Sequence, residues 1–433
     1  MKNWKKGSVA GCLVLFALAG MREIAVAHAR NAQQDQSDQQ QAPSQQAPAQ
    51  APTAPQTQAP PPLQLPENFV AKFHLGGNAA QIPARFVDNL VFVPAGVNRS
   101  QPSLFQLDTA AGASAIDPER AMELGLSDLQ MPTLNLSGLD VLFGPLAEKS
   151  DKDFDADVGR AYEGTLGNDF LAGMVVEINY ARQTMKMFDP ASFQYSGTGK
   201  AVPVTFAGGL PVIRAKINLT GGKPIEGDFA VDTALDASVV VWSRFAQSHN
   251  LKLHRTTPST TFDIAEGDPA LNTRISGFQI GPYVVQQAIG IFPRGNPLRN
   301  RDPKLAGEIG GGMLHRFIVT FDFPHQQIIF DGSTAFRSDE FEDMSGLAIV
   351  AGGPNLKRFE VKQVWPHTAG AEAKVHPGDV IAGANDEAAA DMSLPELRAL
   401  FRQPGTKCKL LIQRGNQTRT VNLPLKRLLE PAR

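Results

Sequence analysis

The chain has 433 residues, with 41 Lys and Arg against 43 Asp and Glu and a formal net charge of −2. A near-neutral balance with dispersed basic residues excludes a nucleic-acid face, and a chain of this length holds two or three domains with their own cores. Two cysteines and eight scattered histidines give no metal-ligand spacing, and there is no phosphate loop, so neither a metal site nor a cofactor is expected.

Residues 1–29 read as a signal peptide: MKNWKK is a basic start, residues 8–20 are apolar, and AVAHA offers small residues for cleavage near Ala27 or Ala29. The apolar run is shorter than the roughly 20 residues that span a bilayer. Export to a periplasm or the medium is therefore expected, with anchoring by an uncleaved N-terminal segment as the weaker alternative. Residues 30–64 are mostly Gln, Ala, Pro, Ser and Thr, a composition that cannot offset chain entropy by burial and predicts a disordered linker. Cleavage removes Cys12 and leaves Cys408 alone, so no internal disulfide is expected; export without disulfides suits a bacterial envelope.

From about Leu65 to Asp331 short apolar runs rich in Val, Ile and Phe alternate with Gly and Pro, the pattern of a β structure. This region repeats itself. IPARFVDNLVFVPAGV leads to FQLDTAAGAS around Asp108, and VPVTFAGGLPVIRAKI leads to FAVDTALDAS around Asp232. One Asp-Thr-Ala arises by chance in such a chain about one time in ten; two in matching contexts point to one plan used twice. A short helix is predicted after each phrase, from Asp117-Pro118 to Gly125 and from Ser243 to near Asn250. Each half closes on a second shared phrase, GTLGNDFLAGMVVEINY and GEIGGGMLHRFIVTFDF, in which Gly167 and Gly310 fit places where another backbone comes close. Apolar strands follow at 174–180 and 317–323.

On these motifs residues 65–335 resemble the retropepsin and pepsin superfamily of aspartic peptidases, in a bacterial form with both lobes on one chain. The family marker is Asp-Thr-Gly or Asp-Ser-Gly in each lobe, followed later by two apolar residues and Gly. The resemblance implies a mainly β fold of two similar barrel lobes related by a pseudo-twofold, at 65–198 and 199–336. It also implies catalysis by Asp108 and Asp232, with Thr109, Ala110, Thr233 and Ala234 supporting the dyad. The sequence departs from the family where Ala110 and Ala234 replace Gly, which disfavours positive φ at those points. Thr165 and Glu308 depart too, standing where an apolar residue is usual, and Glu308 is costly if buried without a partner. Asp236 reads as a solvated loop residue, and Trp242 as core.

From about Ser345 the composition shifts. Strands are predicted at 347–350, 359–364, 379–384 and 409–413, with a helix capped by Ser393 and stopped by Pro404-Gly405. The stretch from Ala369-Gly370-Ala371 to Pro377-Gly378-Asp379-Val380-Ile381 closely resembles a PDZ domain of the bacterial protease type, giving an α+β domain over 337–433. That likeness implies that Gly346, Leu347, Ala348, Ile349 and Leu397 take a peptide C-terminus as an added strand. The expected protein is an exported, monomeric aspartic endopeptidase acting on proteins or peptides. Its alternative is an inactive pseudoprotease that binds peptides in the envelope.

Overall fold

The computed structural model of the protein describes residues 63–126, 131–150, 152–219, 223–260, 270–294 and 304–431. The signal peptide expected at 1–29, and the 30–64 linker except for its last two residues, lie outside the described residues. The described chain is mainly β, the class expected from the sequence. Among the described residues no helix is long and apolar enough to cross a membrane.

Residues 82–180 and 202–323 trace one course twice. In the first half Arg85–Val87 turns through Asp88-Asn89 onto Leu90–Val97; in the second Thr205–Ala207 turns through Gly208-Gly209 onto Leu210–Asn218. Both central residues of each turn have positive φ, 45° and 68° in one and 58° and 83° in the other. Two-residue turns with that backbone match the right-handed twist of paired strands, and Asn, Asp and Gly tolerate it best. Each long strand then pairs with the strand that delivers an acid, Ser103–Leu107 ahead of Asp108 and Ile225–Val231 ahead of Asp232. A short strand runs parallel to each of these, Gly164–Leu166 and Gly307–Ile309. On its far side lies Ala115–Ile116 or Val239–Val241, antiparallel.

Both predicted helices form at the expected places, the first with a side-chain cap and the second without one. Pro118–Glu123 follows Asp117, whose side chain accepts from the amides of Glu119 and Arg120 at 2.9 and 3.4 Å, with Pro118 filling the first helical position. Ser243–Ser248 occupies the same place in the second half.

The halves meet in one six-stranded sheet, in the order Lys200–Pro203, Gln327–Gly332, Phe317–Asp322, Val175–Asn179, Thr184–Phe188, Ala79–Ile82. Three strands come from each half, and the seam is the antiparallel pair that sets Val176 opposite Phe321 and Ile178 opposite Val319. A single apolar core, with Phe105 and Phe170 from one half and Phe229 and Phe321 from the other, runs across that seam.

The C-terminal module has its own sheet: Leu347–Gly352 at the edge, then Arg358–Val364, Val380–Ala384, Lys407–Arg414 and Gln417–Pro424, all antiparallel. The helix Leu394–Phe401 begins at Ser393, which forms a capping box with Glu396 and makes the first turn self-satisfied. Leu347, Ile349, Leu397 and Phe401 belong to a separate apolar core. Glu340 and Glu342, in the segment joining this module to the second half, are held against that half. Glu340 meets Arg316 at 3.3 Å and Glu342 meets Arg274 at 3.2 Å.

Candidate active site

The two Asp-Thr-Ala loops are clasped to one another. The Thr109 hydroxyl donates to the carbonyl of Val231 at 2.6 Å, and the Thr233 hydroxyl donates to the carbonyl of Leu107 at 2.7 Å. Each hydroxyl also accepts the other threonine's backbone N–H, at 3.0 and 3.1 Å. Both threonines are fully buried, so these four bonds exchange no partner with water. Asp108 and Asp232 each precede the threonine that grips the opposite loop, and the two acids therefore flank the same joint.

Each acid is also held by its own loop. Asp108 Oδ1 accepts from the amides of Ala110 and Ala111 at 2.7 and 3.1 Å; Asp232 Oδ1 accepts from the amide of Ala234 at 2.8 Å. Hydrogen bonds from backbone amides favour the charged carboxylate. Asp108 is half-buried and Asp232 is 2% exposed. Ala110 and Ala234 are not among the residues with positive φ, so both loops adopt a backbone in which a methyl group is free of strain.

The second shared phrase supports these loops from behind. A Cβ on Gly167 would lie 2.8 Å from the carbonyl oxygen of Ala111, and one on Gly310 would strike the carbonyls of Leu235 and Ala237. These two glycines therefore mark the close approach of backbone that the sequence suggested. The Asn168 side-chain amide donates to the carbonyls of Thr109, at 2.8 Å, and Gly209, at 2.6 Å, tying the first acidic loop to the hairpin tip of the second half. From the other side, Asn89 at the first hairpin tip donates to the carbonyl of Asp236 at 3.3 Å.

The serine that ends each phrase is served differently in the two halves. Ser114 donates to Asp169 Oδ1 at 2.6 Å from its hydroxyl, and its amide donates to the same carboxylate at 2.9 Å. The second half has Gly312 at the position of Asp169. Ser238 donates instead to Glu340 Oε2 at 2.8 Å, a carboxylate from the segment leading to the C-terminal module. Glu308, where an apolar residue was expected, is only 4% exposed, and Thr165 is likewise buried.

A cavity of about 60 Å³ opens beside the second loop, lined by Ala234, Leu235 and Asp236, by Phe154 and Val158, and by Arg398 and Arg402 of the C-terminal helix region. Neither Asp108 nor Asp232 lines it. Asp236 is thus half-buried against a charged cavity and not the solvated loop residue that its sequence context suggested. Burial alone would lower the Arg402 pKa, but the carboxylates of Asp88, Asp236 and Asp343 outweigh it and hold the guanidinium charged.

In the C-terminal module all five residues that the sequence assigned to peptide binding are buried: Gly346, Leu347, Ala348, Ile349 and Leu397. Gly346 has φ of 69°, a backbone that glycine adopts without strain. Ala348 is 1% exposed and Ile349 2%. The strand Leu347–Gly352 is packed by a helix from the first half, Lys152–Val158, that the sequence reading missed. Its signal was faint: Phe154 and Val158 at i and i+4, followed by Gly159 at φ 71° as the stop.

Among the described residues no cluster of three or more His, Cys, Asp or Glu is placed to hold a metal. No family model matches the chain, and no curated protein matches it. Solved structures that align with it include the aspartic proteinase from Irpex lacteus, over 59% of this chain and 98% of that one, at 11% identity and a TM-score of 0.38.

Proposed function

We propose that the protein is an aspartic endopeptidase in which Asp108 and Asp232 share one proton and activate a water molecule between them. The observation that carries this reading is the reciprocal clasp of Thr109 and Thr233, which fixes two acid-bearing loops from two similar halves against one another. Two carboxylates in contact cannot both ionise. The charged one takes a proton from the water, and the protonated one donates a hydrogen bond to the carbonyl oxygen as it gains negative charge. The roles belong to the pair and not to either residue. Rigid placement matters because small displacements of reacting groups cost large factors in rate, and the clasp, the loop amides and Asn168 all act on placement. The negative φ of Ala110 and Ala234 removes the objection that alanine would spread the loops.

We assign the C-terminal module as a PDZ domain that binds peptide C-termini, and the whole as a monomer exported to a bacterial envelope. The edge position of Leu347–Gly352 beside the helix Leu394–Phe401 supports the first of these. A second reading, a peptide-binding pseudoprotease, draws on the 2% exposure of Asp232, which leaves little of that acid open to a substrate.

The test is cleavage of an unstructured protein across pH 3 to 8 by the chain and by Asp108→Asn and Asp232→Asn. A shared dyad predicts that each substitution lowers the rate on the order of 10³-fold or more, and that the double substitution is no worse than either single one, because the groups act as a unit. A folded chain that cuts nothing at any pH decides for the pseudoprotease.

A further inference from the structure

The surface that a peptide would need on the C-terminal module is taken by the chain itself. The helix Lys152–Val158 is rooted in the first half through Val158, which packs with Leu90, Phe92 and Tyr162, and through Phe154, edge-on to Tyr162 at 6.3 Å between ring centroids. Its other side lies on the strand Leu347–Gly352. Arg398 donates to the carbonyl of Asp157 at 2.7 Å and to the carbonyl of Ile349 at 2.9 Å, pinning the end of this helix to both walls of the groove. Gly159 backs onto the start of the helix Leu394–Phe401: a Cβ there would lie 2.6 Å from that of Leu394.

The occupant does not fit the site as a strand would. Leu347–Gly352 pairs with Arg358–Val364 on one side only, and such an edge is a template for another extended chain. A helix cannot extend the sheet, and at Ile349 the edge carbonyl is met by a side chain. An extended peptide would supply main-chain hydrogen bonds along that edge, and a terminal carboxylate would complement the cationic Arg398 now bonded to backbone carbonyls.

We propose that the helix Lys152–Val158 is a gate on the groove, which an extended peptide with a free C-terminal carboxylate must displace in order to bind. The proposal rests on the PDZ reading above. An occupant tethered in the same chain competes at high effective concentration. The apparent affinity of the peptide then falls by the fraction of molecules with the groove open, so unseating the helix tightens binding about tenfold or more.

The test measures binding of fluorescent decapeptides with apolar C-terminal residues, each made with a free carboxylate and as the amide. They are presented to the full chain, to Gly159→Val, which collides with Leu394, and to a chain with residues 152–158 replaced by Gly and Ser. Amide hydrogen exchange of residues 152–158 in the unaltered chain, with and without saturating peptide, reads the gate without any substitution. The expected result is a gain of about tenfold or more for the free acids in both variants, none for the amides, and faster exchange of 152–158 when peptide binds. Equal binding by all three chains, with 152–158 staying protected, overturns the gate and leaves the PDZ reading intact. Failure of every peptide on every chain overturns the PDZ reading, and the gate with it.

Discussion

The two acidic loops are built on one plan but completed from different sources. In the first half the buried Ser114 is held by Asp169, two residues beyond the supporting Gly167, so the carboxylate that anchors this serine comes from the half itself. In the second half Gly312 stands at that place, and a Cβ there would lie 2.9 Å from the Ser238 hydroxyl oxygen. The missing carboxylate is supplied by Glu340, which also accepts from the amide of Ile289 at 3.2 Å and meets Arg316 at 3.3 Å. Duplication preserved the need for an acid at this point but not its origin. As a result, the second loop depends on the segment that leads into the C-terminal module.

The sharpest way to break this comparison is to remove each carboxylate. Glu340→Ala leaves the guanidinium of Arg316, 1% exposed, without its acidic partner. Stranding one member of a buried ion pair costs about 3 to 5 kcal/mol. Asp169→Ala leaves the amide N–H and the hydroxyl proton of Ser114 without their acceptor, at about 1 to 3 kcal/mol. Urea unfolding should therefore place Glu340→Ala below Asp169→Ala, and only Glu340→Ala should loosen the attachment of the C-terminal module. Equal losses, or a module as susceptible to proteolysis in one variant as in the other, would mean that the two halves are completed alike.

A smaller effect tests the alanines. If Ala110 and Ala234 merely stood in for glycine, restoring glycine would relieve strain and raise stability. Since neither has positive φ, Ala110→Gly and Ala234→Gly should each cost about 0.5 to 1 kcal/mol by loosening the unfolded chain. Cleavage should not improve. A rise in melting temperature in either variant would sink this account of the loops.

Much of this was legible in the sequence because it repeats. The paired phrases located both acid-bearing strands, the helix at Asp117-Pro118 and the supporting glycines, since turn chemistry, caps and alternation are local signals. The parts that break the repeat were not legible. Asn168 and Asp169 face Gly311 and Gly312 in the second phrase, and comparing the phrases for identity hid the two residues that do separate work. Glu340 was invisible for another reason: its partners, Ser238, Ile289 and Arg316, are far away in sequence, and no local pattern announces such a contact. The helix Lys152–Val158 has too few apolar residues to declare itself: Phe154 and Val158 pack on its own half, and the remainder of its packing is against another module.

The least effect, and the most specific, is on pH. Burial raises the pKa of Glu340 against the opposing pull of Arg316, and burial likewise raises Asp343. Within the module Asp379 goes the other way: burial alone would raise it, but Arg414, with Nε at 2.6 Å, and the amide of His376 bring it below its ordinary value. A folded carboxylate with raised pKa binds its proton more tightly than the unfolded chain does. Its contribution is therefore full below the ordinary value, near 4.5 for Glu340, and is lost as pH rises through the raised one. For Asp379 the contribution is present above the ordinary value, near 3.8, and is lost as pH falls through the lowered one. Glutamine imitates protonated Glu340, so the stability of the unaltered chain relative to Glu340→Gln should decline between pH 4.5 and neutrality. Relative to Asp379→Asn it should decline as pH falls below 3.8, by a margin kept small because Arg414 is 43% exposed and screened by solvent. Denaturant titrations at stepped pH would show opposite slopes. Parallel slopes would mean that the carboxylate joining the modules and the one inside the C-terminal module sit in equivalent electrostatic surroundings, and the second loop would then lose its claim to a distinct, borrowed support.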